Sequence, residues 1–135
     1  VSGAKSMSER YAELKQLGDK FLGVFNRADI NGIMSFFTDD AVYEEFHGKV
    51  NEGKAAIRES FEGLFSGRFG TIRFDESDTF IDADVGKVMS SWNLYLDMDD
   101  EPRVLAGLDL LYFEGNKITR KLTYVKAKVG LYESA

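Results

Sequence analysis

Two acidic positions stand out as residues able to move a proton. Asp109 lies among Leu105, Leu108, Leu110 and Leu111 in a β-like run, and the period of two places it on one face with Leu105, Gly107, Leu111 and Phe113. Burial there without a partner favours the neutral acid, and neutral acids in apolar clefts mark sites of proton transfer or oxyanion binding. The alternative is an Asp held by a Tyr, a Trp or a backbone group for structural reasons. Glu44 and Glu45 are adjacent in a strand, so one faces the core side and the other solvent, and the pattern leaves open which. If Glu45 and Asp109 share one pocket, mutual repulsion drives their proton affinities apart and makes an acid/base pair.

Around these two, Trp92 lies on the strand neighbouring Asp109 and can donate its indole N–H to a ligand or to Asp109 itself; packing is the other reading. His47, the single histidine, follows Glu45 closely. It is either a proton shuttle or an exposed loop residue. Tyr43, Tyr95, Tyr112 and Tyr124 read mainly as sheet-packing residues, with Tyr124 the preferred pocket phenol.

The elements that must position these groups follow from periodicity. Ser8 can cap a helix in which Tyr11, Leu14, Leu17, Phe21, Leu22 and Phe25 recur at three- and four-residue steps, ending near Asn26. Asp29 can cap a short second helix carrying Ile30, Ile33, Met34 and Phe37. A short strand, Ala41 to Phe46, precedes a turn-prone stretch from His47 to Gly53. Ile57, Phe61, Leu64 and Phe65 then mark a third helix. Thr71 to Ile81, Val85 to Asp97, Arg103 to Glu114 and Lys117 to Ala127 are rich in β-branched and aromatic residues and read as four antiparallel strands. Gly115-Asn116 is a two-residue hairpin loop. Helices first and a meander after predict an α+β architecture, with a cavity where a curved sheet folds around the helices.

Composition narrows the function. The 135 residues suit one domain, expected over 8–130, with 1–7 a frayed end or an expression remnant and 131–135 a tail. Eleven Phe, six Tyr and one Trp supply a bulky interior. A net charge of −6 argues against nucleic acid and against anionic membrane surfaces as partners. With no cysteine, disulfides, thiol catalysis and cysteine-based zinc sites are excluded. One His and scattered carboxylates have no metal-ligand spacing, so neither metal nor cofactor is expected. The acidic run Asp97, Asp99, Asp100 and Glu101 reads as a solvated hairpin tip. No apolar run approaches the roughly 20 residues of a spanning helix, and no signal peptide is evident, so the cytoplasm is the expected location.

Three stretches carry a family resemblance: FNRADINGIMSFFTDDAVYEEFHG from Phe25 to Gly48, GKAAIRESFEGLF from Gly53 to Phe65, and LAGLDLLYFEGNKITRKLTYVKA from Leu105 to Ala127. Together they resemble the SnoaL-like, ketosteroid-isomerase-like branch of the nuclear-transport-factor-2 superfamily, over about Ser8 to Ala127. The resemblance implies a cone, in which three helices pack on a strongly curved, mainly antiparallel sheet around an apolar pocket that takes a small apolar molecule. It also implies a homodimer formed through the outer sheet face. In the isomerase members an Asp is the general base, while a Tyr and a neutral Asp hold the oxyanion. Those positions fall on Glu45, Phe21 and Asp109. Phe21 has no hydroxyl, and a lost oxyanion donor typically costs about 10² to 10³ in turnover, which argues against steroid isomerisation itself. Epoxide-hydrolase relatives use an Asp-Arg-Asp set, and Gly107 stands where its Arg would lie. The resemblance implies a cofactor-free isomerase, cyclase or hydratase with Glu45 as base and Asp109 as acid or oxyanion donor. Phe21, Phe25, Tyr43, His47, Trp92 and Tyr124 are its expected pocket residues. The competing expectation is a non-catalytic ligand-binding or dimerisation module.

Overall fold

The computed structural model describes residues 5–98 and 101–128. The expected tail at 131–135, residues 1–4 of the expected frayed end, and Asp99 and Asp100 of the acidic tip lie outside them. Helix α1 spans Met7–Asn26 and α2 spans Ile30–Met34. They are followed by strand β1 (Phe37–Glu44), strand β2 (Val50–Glu52) and helix α3 (Lys54–Leu64). The long strands β3 (Ile72–Asp82), β4 (Lys87–Met98), β5 (Glu101–Glu114) and β6 (Lys117–Val125) complete the chain. One sheet of six strands runs in the order β2-β1-β6-β5-β4-β3, and every pairing is antiparallel except β1 with β6. The fold is the expected α+β cone: three helices against a curved, unclosed sheet.

Three local expectations need correction. The cap of α1 is Ser6, not Ser8: the Ser6 hydroxyl accepts from the Glu9 amide at 3.1 Å. Phe37 belongs to β1 rather than to α2, because the Ile118 amide donates to the Phe36 carbonyl and draws this backbone alongside β6. The stretch after His47 is not all turn, since Val50–Glu52 returns to pair with Val42 to Glu44. The Asp29 cap of α2 and the Gly115 hairpin, whose glycine has φ 61°, stand as read.

The core lies where α1 and α3 meet the concave face of the sheet. Leu14, Phe21 and Phe25 from α1, Ile57 and Phe61 from α3, and Val88, Leu111, Phe113 and Ile118 from the sheet are all buried. Phe25 is its hub, edge-on to Phe21, Phe61 and Phe74. At the end of α1 the Asn26 side chain donates to the Phe74 carbonyl at 2.9 Å and accepts from the Phe74 amide at 2.8 Å. It thus acts as one rung of strand pairing for β3 and fixes the helix across the open side of the cone.

Candidate functional site

The concave face holds a cavity of about 480 Å³, closed by α1 and α3 on one side and by the sheet on the other. Aromatic and aliphatic side chains form much of its wall, and Glu45, Glu76, Asp109 and Lys121 are among the charged groups that line it. Such a cavity, apolar with a few convergent polar groups, is the usual form of a small-molecule site.

Glu45 follows directly on β1, where Ala41 and Tyr43 already face the core. The alternation therefore turns Glu45 inward and Glu44 outward, and Glu44 lies 3.8 Å from Arg120 on the outer face. Glu45 is held by a residue that the sequence pattern did not single out. Asn51, 97% buried on β2, donates to Glu45 Oε2 at 3.0 Å and to the Tyr43 carbonyl at 3.2 Å. The other oxygen, Oε1, lies 3.5 Å from His47 Nε2. His47 is half exposed at the cavity mouth, so both readings of it describe the same placement.

Asp109 is inside the cavity wall but is not a lone acid among leucines. Trp92 Nε1 donates to Oδ2 at 3.0 Å, Thr123 Oγ1 donates to Oδ1 at 2.5 Å, and Lys121 Nζ lies 3.1 Å from the same Oδ1. The Lys121 side chain is 4% exposed. Its ammonium also donates to Thr123 Oγ1 at 2.8 Å and sits 4.2 Å above the Tyr43 ring, with Phe25 and Phe61 slightly farther away. Burial alone lowers the Lys121 pKa, but the Asp109 charge and then Tyr43 outweigh it, and the net direction is upward. Lys121 is therefore a protonated cation at neutral pH and not a free amine nucleophile. Burial likewise raises the Tyr43 phenol, with the nearby ammonium opposing.

Two backbone details build this group. In β6 the partner of Tyr112 is Arg120 and that of Phe113 is Ile118, so Thr119 is an extra, bulged residue. The bulge shifts the inward parity from Ile118 to Lys121, Thr123 and Val125. Tyr124, expected as a pocket phenol, consequently points outward, is 52% exposed and is absent from the cavity wall. In β5, Gly107 lies opposite Trp92, and a Cβ at Gly107 would come within 2.6 Å of the indole. The missing side chain is what lets the indole lie across β5 and reach Asp109.

A SnoaL-like domain model matches residues 19–121, more than half of the sequence. The chain belongs to the SnoaL-like family. No curated protein matches the sequence. Among solved structures, a proposed polyketide cyclase from Xanthomonas campestris superposes with a TM-score of 0.77 at 17% identity, covering 85% of this chain and 91% of that one. SalBIII, described as an epoxide hydrolase/cyclase-like enzyme in pyran ring formation in the polyether salinomycin, gives 0.76 at 20% identity over 85% and 92%. A ketosteroid-isomerase-like protein from Catenulispora acidiphila, in complex with trimethylamine, gives 0.70 at 14% over 80% and 83%. At these identities the likeness is one of fold.

Within the SnoaL-like frame, Phe21 and Phe25 line the cavity as apolar wall, with Tyr43 and Trp92 beside the charged groups. Phe21 packs edge-on against Phe25, Phe36 and Phe37 and offers no donor. Across the cavity from it lies the buried ammonium of Lys121. No helix among the described residues is long and apolar enough to cross a membrane.

Proposed function

We propose that this SnoaL-like chain is a cofactor-free acid/base catalyst acting on an apolar carbonyl compound. Glu45 removes a proton next to the carbonyl, and the Lys121 ammonium faces the oxygen on which negative charge develops. Asp109 and Thr123 are positioning residues: they fix the ammonium, and Asp109 also fixes the Trp92 indole. One observation carries the reading, namely that an oriented carboxylate and a buried ammonium enter the same largely apolar cavity of about 480 Å³. In such a site a preorganised cation is worth far more to an oxyanion than it is in water. The cyclase and epoxide-hydrolase-like descriptions of the structural neighbours agree with small-molecule chemistry in this fold. An isomerisation or an aldol-type cyclisation begins with that proton transfer; in a hydration Glu45 instead takes the proton of the water that adds to the conjugated carbon, and Lys121 faces the same enolate oxygen.

A second reading, a non-catalytic binding module, is favoured by one feature: both Asp109 oxygens are already occupied by protein donors, as in a structural ion pair. The two readings part in one experiment. p-Phenylacetophenone is incubated with the protein in D₂O and its methyl resonance is followed by NMR, while quenching of Trp92, the single tryptophan, reports binding. A catalyst gives saturable deuterium incorporation above the buffer rate; a binding module quenches Trp92 and leaves the methyl protons unexchanged.

A further inference from the structure

We propose that the cavity carries a second polar subsite, the Glu76–Ser90 pair on β3 and β4, which takes a hydroxyl group of the ligand. The register across the sheet sets up the arrangement. Ser90 lies opposite Asp109, and Asp109 lies opposite Thr123, so three polar side chains from β4, β5 and β6 form one row on the concave face. Apolar Val88 and Leu111, also paired, run alongside the row. Glu76 joins Ser90 because β3 has an irregularity between Glu76 and Asp78, which keeps both Glu76 and Thr79 on the inner side.

Glu76 has capacity to spare. Ser90 donates its one hydroxyl proton to Glu76 Oε2 at 2.8 Å, whereas Lys15 Nζ is 4.0 Å from Oε1, beyond hydrogen-bond length. Among the described residues, Oε1 accepts no hydrogen bond. A carboxylate oxygen with 23% side-chain exposure at a cavity wall is an acceptor that a ligand hydroxyl can reach in place of solvent. The Lys15 ammonium is close enough to offset the charge of Glu76, so a neutral donor suits the subsite better than a cation. Three strand spacings of about 4.8 Å separate β3, which carries Glu76, from β6, so the acceptor lies about 14 Å from Lys121 across the sheet, a span met by a ligand about 10 Å long between its two oxygens with a hydrogen bond at each end. The ligand class that follows is a rigid apolar carbonyl compound with a hydroxyl at its far end. This inference rests on the cavity being the ligand site.

The test compares p-phenylacetophenone with its p′-hydroxy analogue, by Trp92 quenching. A hydrogen bond to a charged acceptor predicts about tenfold tighter binding of the hydroxy compound to the wild-type protein. Glu76→Met, which keeps the bulk and removes the acceptor, brings the ratio of the two affinities close to one while retaining affinity for the parent ketone; that retained binding also controls for folding. Equal affinities in the wild type, or an unchanged ratio in Glu76→Met, overturn the subsite and leave the cavity reading intact. Failure of both ketones to bind the wild type overturns the cavity reading and the subsite with it.

Discussion

Replacing Lys121 by Met tests whether the buried ion pair is as consequential as its geometry implies. Met fills nearly the same volume, so the change removes the ammonium and little packing. Asp109 would keep Trp92 and Thr123 but lose the one full charge facing it, at 3.1 Å. Removing one partner of a buried pair costs about 3–5 kcal/mol, because the other is left uncompensated. Asp109→Leu strands the Lys121 ammonium in the same way and should cost about as much. The double variant replaces the pair by apolar side chains and should recover most of the loss, giving a coupling energy of about 6 kcal/mol. In urea titrations, with a slope of about 2 kcal/mol per molar, each single variant lowers the midpoint by about 2 M and the double variant by well under 1 M. Single variants each costing below about 1 kcal/mol, with additive effects, would refute the argument.

Other consequences are open to direct measurement. Lys121 and Tyr43 both have pKa values raised from ordinary values of 10.5 and 10.0, so the folded state holds protons that the unfolded chain releases first. Their contribution is complete below about pH 10 and is lost as pH rises through the folded values; thermal unfolding between pH 8 and 11 should show that fall, and Lys121→Met should flatten it. Gly107→Ala places a methyl against the Tyr124 carbonyl and the indole, so the emission of Trp92 should shift red and the protein should lose about 3 kcal/mol by overpacking. Asn26→Ala removes two hydrogen bonds to Phe74 and should cost about 1–2 kcal/mol in chemical denaturation.

The helices, the long strands and the final hairpin were legible because each buries one face, and burial imposes a period of 3.6 or 2. The inward placement of Asp109 followed from the same rule. Lys121 did not, and the reason is the bulge at Thr119. An unbroken strand that buries Ile118 would put Arg120, Leu122 and Tyr124 on the inner face, which makes Tyr124 the natural pocket phenol. One extra residue reverses that parity, and a bulge leaves no dependable mark on composition. A usable signal was present in the electrostatics: an Asp in a leucine-rich strand calls for a nearby cation, and Lys117, Arg120 and Lys121 are the basic residues on the adjoining strand β6. Asn51 was hidden for a different reason. Its strand has three residues, too short to show alternation, and it forms because β1 offers a free edge. The strand pattern alone left Glu44 and Glu45 undecided; the family resemblance favoured Glu45, and the burial of Ala41 and Tyr43 fixes the parity that turns it inward.

The proposed proton transfer by Glu45 inside this cavity can be followed directly. The most direct test is the rate of deuterium incorporation into p-phenylacetophenone by the wild-type protein and by Glu45→Gln, which keeps the shape of the side chain and its place beside Asn51 but cannot act as a base. Glu45→Gln is expected to lose about 10² to 10⁴ in exchange rate with Trp92 quenching by the ketone preserved. Equal exchange rates in the two proteins would contradict it.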